Sequence, residues 1–411
     1  MNSELQVSGL KFDSLAVASH PLQQVSSTPL LQVILQEIEA AGGVLPFRRF
    51  MELALYHPGS GYYASGRARI GKEGDFFTSV SVGRIYGRLL ASICKEAWER
   101  LDRPAACTIV EQGANDGSMA ADLLGALREW GEKEQDDSFF RAVSYLIVEP
   151  FEINKTRQQE KLQAFPEVRW VSSLDDLPEF TGIHLSNELL DAFPVDSLRW
   201  NGRAWKQECV VNTAGTLAWS SRPITDPDLA EATRLLPVNL SEGFRVEVNP
   251  GMQPWLETLH RKLQRGLILT VDYGQAGDDR YAPHRADGTL LAYQNHERFN
   301  DPLPKPGQRD ITAQVDFTTL GRLAMAIGFE ILGYSDQHHF LVGTAEPWMR
   351  SMGDLTSQSS TVIQQDLRAL QTLLHPGTMG MQFKAIALGK GFPSAPPLSC
   401  FKHQRPGIEA L

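Results

Sequence analysis

The stretch IVEQGANDGSMAADLL, residues 109–124, places an acid at the end of an apolar run, follows it with two glycines, and then continues in helix-forming residues. A strand, a tight turn and a helix in that order aim backbone N–H groups at a ligand. A dinucleotide turn requires G-x-G-x-x-G, with the last glycine permitting close packing of helix on strand. Counting from Gly113, the third position is Asn115 and the sixth is Ser118, so one glycine of three fits. A nicotinamide or flavin reading is therefore poor. The spacing that is met is acid-x-G-x-x-x-G, by Glu111, Gly113 and Gly117. Asn115 does not spoil it, because asparagine is the non-glycine residue most willing to adopt the left-handed conformation.

Other polar residues with chemical potential close apolar runs in the same way: Glu149 ends YLIVEP, Asn187 and Glu188 follow GIHLS, and Asp272 lies in LTVDYG. Strands are expected at 107–112, 142–150, 168–171, 182–187 and 266–274, with helices between them, which is the pattern of a mostly parallel sheet. Open α/β sheets bind ligands outside the carboxyl ends of their strands, so these acids are expected to line one crevice. The runs at 328–335 and 381–391 can close the sheet as an antiparallel pair. Upstream, PLLQVILQEIEAAGG reads as a helix, with Pro29 near its start, apolar Leu31, Ile34, Leu35 and Ile38, and a Gly pair to stop it. LPFRRFMELALY continues in helical style until HPGSGYY breaks it, and a further helix is expected at about 79–100.

Between the fourth and fifth strands lie more residues than one crossover needs, and strand-like runs at 204–212 and 243–250 point to a small β insertion. The stretch 275–316, rich in Gly, Pro, His and Asp, shows little periodicity. The chain thus divides into an arm at 1–28, a helical segment at 29–100, a core at 101–391 with insertions at about 197–262 and 275–316, and an irregular tail at 392–411.

Composition narrows the function classes. A length of 411 residues with 42% hydrophobic and 21% charged residues describes a globular chain with a sizeable core. A formal net charge of −10 disfavours nucleic acid and anionic membranes as partners. Cys94, Cys107, Cys209 and Cys400 form no CxxC, and the ten histidines show no HExxH, so neither a metal nor a disulfide framework is expected. No apolar run reaches the roughly 18 residues of a membrane-spanning helix. The first 28 residues contain acids, one lysine and no arginine, unlike a secretory signal or a transit peptide. A cytoplasmic location follows by default.

The spacing Glu111-x-Gly113-x-x-x-Gly117 resembles the first motif of class I S-adenosylmethionine methyltransferases, in which a second acid, here Glu149, accepts hydrogen bonds from ribose hydroxyls. Four further stretches resemble the signatures of the MidA family: 50–79, NELLDAFPVD (187–196), LTVDYG (269–274) and 288–320. That family includes the mitochondrial complex I assembly methyltransferase that modifies arginine. The resemblance covers about residues 29–390. It implies an α/β, Rossmann-like class I fold with a seven-stranded sheet, an N-terminal helical segment over the cofactor, and insertions after the fourth and fifth strands. The family usually reads E-L-G-x-G-x-G, so Asn115 stands where a glycine is usual.

What the resemblance implies for the site is specific. S-adenosyl-L-methionine would be held by Asp75, Thr78, Ser79, Glu111, Gly113, Asn115, Gly117, Glu149, Ser173, Leu174 and Asn187. Glu188 and Asp191 would orient a cationic guanidinium and receive its proton. Asp272, Tyr273, His296 and Asp310 are candidates for the acceptor side. The expected activity is methylation of a protein, on arginine. A non-catalytic assembly factor that keeps the fold, and a small-molecule methyltransferase, stay open at this point.

Overall fold

The computed structural model describes residues 28–68, 78–352 and 361–404. Its central sheet contains β1 (Cys107–Gln112), β2 (Val143–Val148), β3 (Val168–Val171), β4 (Phe180–Asn187), β5 (Leu263–Gln275), β6 (Glu330–Asp336) and β7 (Phe383–Lys390). The spatial order is β3-β2-β1-β4-β5-β7-β6. Neighbours from β3 to β5 are parallel, whereas β7 runs antiparallel to both β5 and β6. The sheet counts eight strands, not the expected seven, because β5 overshoots its neighbours and Gly274 and Gln275 pair with Val315 and Asp316.

The apolar runs become strands buried on both faces, as parallel sheets require. Ile109, Leu267 and Leu269 join the core on one face, while Val110 and Ile268 join the core on the other. The helices that carry the argument are, in chain order, α1 (Pro29–Ala40), α2 (Phe47–Tyr56), α3 (Ile85–Arg100), α4 (Ser118–Glu134), α5 (Glu152–Lys161), α6 (Met252–Lys262) and α7 (Phe317–Ile327), of which α3, α4, α6 and α7 cover the sheet. α3 and α4 bury Leu89, Ile93, Leu123 and Leu127 on the first face. α6 and α7 bury Trp255, Leu256, Leu259 and Leu320 on the second. α6 is therefore the crossover helix into β5, and the insertion before it is shorter than the expected 197–262.

α1 begins where Thr28 Oγ1 accepts from the Leu31 N–H at 3.3 Å, with proline at the first helical position. The expected helix at 79–100 is two helices, Ser79–Val82 and α3. The β insertion supplies four strands of a five-stranded sheet, whose fifth, Leu45–Pro46, pairs with Val210 and Cys209. The stretch 275–316 is not irregular throughout. It forms a small sheet of Leu291–Gln294, Glu297–Phe299 and Asp310–Thr312. Phe50, Leu55 and Tyr62 of the N-terminal segment, Val195 and Val210 of the insertion, and Ala292 and Ile311 of the small sheet share one apolar cluster. That shared core joins the N-terminal segment to the insertion and the small sheet, and the Tyr56 hydroxyl ties it to the Ala192 carbonyl just past β4. The tail also docks, with Leu398, Cys400 and Phe401 buried.

Candidate active site

A cavity of about 760 Å³ opens at the carboxyl ends of β1, β2 and β4. Its floor is the turn between β1 and α4. Gly113 (φ 84°), Asn115 (φ 46°) and Gly117 (φ 82°) all take the left-handed conformation there. The asparagine occupies the glycine-like position at the cost of a backbone strain that its short polar side chain makes small. The turn hands over to α4 through Asp116, whose Oδ1 accepts from the Ser118 N–H at 3.0 Å.

Two acids stand beside the turn. Glu111 Oε2 accepts from the Tyr145 hydroxyl at 2.6 Å, and burial pushes its carboxyl up to about 7. Glu149 Oε1 accepts from the Phe151 N–H at 3.0 Å and from Asn154 Nδ2 at 3.4 Å, and its Oε2 accepts from Gln158 Nε2 at 2.8 Å. Burial raises its carboxyl and these donors pull it back. Beyond the end of β3, Ser173 and Leu174 complete this side of the cavity, with Ser173 Oγ donating to Asp176 Oδ2 at 2.8 Å.

The end of β4 supplies the opposite wall. Asn187 Oδ1 accepts from the Tyr86 hydroxyl at 2.6 Å, and Asn187 Nδ2 donates to Glu188 Oε1 at 2.9 Å. The Ser79 N–H donates to the same carboxylate oxygen at 3.3 Å. Glu188 is held at φ 55°, a left-handed backbone that costs an ordinary side chain about 1–2 kcal/mol. Burial first, and then the Asp272 carboxylate, push Glu188 up to about 8. Ser79 reaches the site through its backbone, since its hydroxyl donates to Gln337 Oε1 at 2.9 Å. Thr78 lines the cavity and caps the short helix, its Oγ1 accepting from the Ser81 N–H at 3.1 Å.

The structure thus gathers Thr78, Glu111, Gly113, Asn115, Glu149, Ser173, Leu174, Asn187 and Glu188 around one space. Asp191 and Asp310 lie behind the wall, both buried, and Asp310 Oδ1 accepts from the Tyr63 hydroxyl at 2.8 Å. Burial, Asp272 and Asp310 hold the Asp191 carboxyl well above its ordinary value. Asp272 is fully buried and spends its acceptors on backbone. Its Oδ2 takes the N–H groups of Leu189, Leu190 and Asp191 at 3.0, 2.8 and 3.4 Å, and its Oδ1 takes that of Tyr273 at 2.8 Å. It shapes the turn that carries Glu188 and Asp191 instead of facing the cavity. Tyr273 packs on Phe383 with ring centroids 3.8 Å apart, and His296 sits exposed at a hairpin tip. Neither reaches the cavity, and Asp75 lies outside the described residues.

Sequence reasoning missed the aromatic side of the cavity. Tyr56, Tyr63 and Phe151 line it, with Tyr56 stacked 5.6 Å from Tyr63 and 6.5 Å from Phe151. The Tyr56 hydroxyl donates to the Ala192 carbonyl at 2.8 Å, tying the N-terminal segment to the turn after β4. Trp255 also lines the space and donates from Nε1 to Gln112 Oε1 at 2.9 Å. The position of Phe151, two residues after Glu149, was the one available signal.

The donor set fits a specific kind of ligand. Among the described lining residues are the carboxylates of Glu111, Asp116, Glu149, Asp175 and Glu188, and no lysine, arginine or histidine. S-adenosylmethionine carries a sulfonium, an ammonium and a ribose diol, each of which acidic acceptors favour.

Residues 89–335 match the family described as "Putative S-adenosyl-L-methionine-dependent methyltransferase". The chain is 27% identical over 382 residues to the mitochondrial protein arginine methyltransferase NDUFAF7 of Homo sapiens, covering 88% of this chain and 83% of that protein. It is equally 27% identical to the Drosophila melanogaster homologue, covering 85% of this chain and 82% of that protein. A crystal structure of a COG1565 superfamily member from Burkholderia thailandensis, bound to S-adenosyl-homocysteine, superposes with a TM-score of 0.81. Its sequence is 30% identical, and the match covers 92% of this chain and 95% of that one.

These relatives correct one expectation. A cytoplasmic location was drawn by default from the N-terminus, yet the human, fly and bovine relatives are named as mitochondrial proteins. The first 28 residues lacked the arginine-rich look of a leader, which is a compositional tendency and no physical exclusion. With a match over more than half of its length, a superposable fold and a cavity of fitting chemistry, the chain belongs to this family of S-adenosyl-L-methionine-dependent methyltransferases.

Proposed function

We propose that the chain methylates a protein acceptor on arginine, and that Glu188 is the residue that receives the guanidinium. The family resemblance supports assembly of respiratory complex I as the process that this acceptor serves. When bound, S-adenosylmethionine supplies an electrophilic methyl group on sulfur; the protein's task is alignment and proton management. The turn at Gly113–Gly117 would hold the amino-acid end, Glu149 a ribose hydroxyl, and Ser173 and Leu174 the adenine. Glu149 already accepts three hydrogen bonds out of about four lone-pair sites, so it has room for about one ribose hydroxyl, or two if the long Asn154 contact is displaced.

A guanidinium is cationic throughout the physiological range and must be oriented by a carboxylate that can also take a proton. The observation that carries this reading is Glu188: a carboxyl pushed up to about 8, held on a left-handed backbone, in a cavity wall without basic neighbours among the described lining residues. Asp310, buried behind it, adds negative potential without touching the cavity. Tyr56 and Tyr63 offer flat faces on which a planar cation can lie. The test is transfer of labelled methyl from S-adenosylmethionine to protein in a cell lysate. Glu188→Gln should abolish the label while keeping the affinity for S-adenosyl-homocysteine. Undiminished labelling by Glu188→Gln removes its assigned role.

A further inference from the structure

Gln158 lies on α5, fully buried, between the two halves of the cofactor site. Its Nε2 donates to the Asn115 carbonyl at 2.9 Å and to Glu149 Oε2 at 2.8 Å. Its Oε1 accepts from Trp170 Nε1 at 2.9 Å. Donor and acceptor types leave one orientation for this amide. An indole N–H only donates, so the amide oxygen must face Trp170; a carbonyl and a carboxylate only accept, so both amide hydrogens must face Asn115 and Glu149. A flipped amide would lose all three bonds.

α5 is pinned over the turn by further contacts. Lys161 Nζ pairs with Asp116 and donates to Ser118 Oγ at 2.6 Å. A Cβ on Gly117 would stand 3.2 Å from Leu162 Cδ1 and 3.5 Å from Gln158 Cα, so the bare glycine admits the helix. What the turn presents to Gln158 is a backbone carbonyl, which any residue able to hold the left-handed conformation would supply.

We propose that Gln158 is the positioning residue of the cofactor site, locking the turn at Asn115 to Glu149 so that both present one fixed geometry to S-adenosylmethionine. The inference rests on the assignment of that turn and of Glu149 to the cofactor. Trp170 acts one step further out, by fixing which way the amide points.

The experiment is calorimetric titration of the full chain with S-adenosyl-homocysteine across a pH series. Wild type is compared with Gln158→Met, Gln158→Glu, Trp170→Phe and Glu149→Ala. Gln158→Met keeps the length and removes the donors, and should weaken binding about ten- to a hundredfold, the worth of a hydrogen bond to a charged group. Gln158→Glu places an acceptor against two acceptors and should lose at least as much. Trp170→Phe only frees the amide to turn, and should lose between about two- and tenfold.

Removing a donor from Glu149 disfavours its ionised form. The pH below which binding fades should therefore move upward in Gln158→Met, a shift that a merely structural role would not produce. Gln158→Met binding within twofold of wild type with an unmoved pH midpoint, while Glu149→Ala loses binding, overturns the inference and leaves the cofactor assignment standing. Wild-type binding by Glu149→Ala overturns the assignment, and the inference with it. If Gln158→Met does not fold, Trp170→Phe decides, and wild-type affinity and pH midpoint in that variant overturn the inference.

Discussion

At the scale of single residues, Asn115 was the doubtful position, and its backbone answers for it. The left-handed φ of 46° is one that asparagine tolerates and a β-branched residue does not. Asn115→Gly should leave stability and S-adenosyl-homocysteine affinity close to wild type. Asn115→Val should cost about 1–2 kcal/mol of folding stability and weaken the ligand, as read by denaturant titration and calorimetry. Equal behaviour of the two variants would show that the turn does not need this conformation. Glu188 gives the second prediction at this scale. Because its carboxyl is raised to about 8, it is mostly protonated at pH 7, and a cation beside it is favoured only after the proton leaves. Methyl transfer at subsaturating acceptor should rise with pH and level off above about 8, and a flat profile over pH 6–9 would exclude Glu188 as the group that must ionise.

At the scale of elements, much of the central sheet was legible because its strands are short apolar runs that turn polar at one end. β1 and β3 match their expected ranges, and β6 and β7 form the expected antiparallel pair. The small sheet at 291–312 was not legible, since strands of three or four residues amid Gly and Pro carry too little periodicity. The helices Gln337–Met352 and Thr361–Leu374 went unread as well. In the site, the strand-end acids were visible because a carboxylate closing an apolar run is conspicuous. Tyr56 and Tyr63 were not, for nothing local separates a cavity tyrosine from Tyr62, which is simply core. The sheet also fixes where substitutions are intolerable. A Cβ at Gly182 would sit 2.0 Å from the Thr108 carbonyl oxygen, between β4 and β1, where backbone cannot give way. Gly182→Ala should destabilise the fold by about 3 kcal/mol or more in denaturant titration, and a loss under about 1 kcal/mol would contradict the close approach.

At the scale of the molecule, the site is a concentration of acid enclosed by distant parts of the chain. Glu188 at about 8 and Glu111 at about 7 in the cavity wall, Asp272 at about 7 behind it, and Asp122 at about 6 on α4 all hold protons in the folded state that the unfolded chain has released. The sign follows from that difference: their stabilisation is complete below about pH 4 and is lost as pH rises through 6 to 8. The melting temperature of the ligand-free chain should therefore fall between pH 5 and pH 8, and S-adenosyl-homocysteine should recover more of it at pH 8 than at pH 5. A melting temperature that rises across that range would mean that these carboxylates are ionised in the folded state. The N-terminal segment, the β insertion and the small sheet share one core, so the aromatic side of the cavity and its acidic wall are held as one unit. That enclosure is what lets Glu188 and Glu111 stay raised and still face a ligand.

The most direct measurement of the proposed activity is amino-acid analysis of the labelled product. Purified chain and labelled S-adenosylmethionine are incubated with lysate protein, and the acid hydrolysate of the protein fraction is resolved. The account predicts that the label is recovered as methylarginine and disappears with Glu188→Gln. Label confined to small molecules, or recovered on another amino acid, would contradict it.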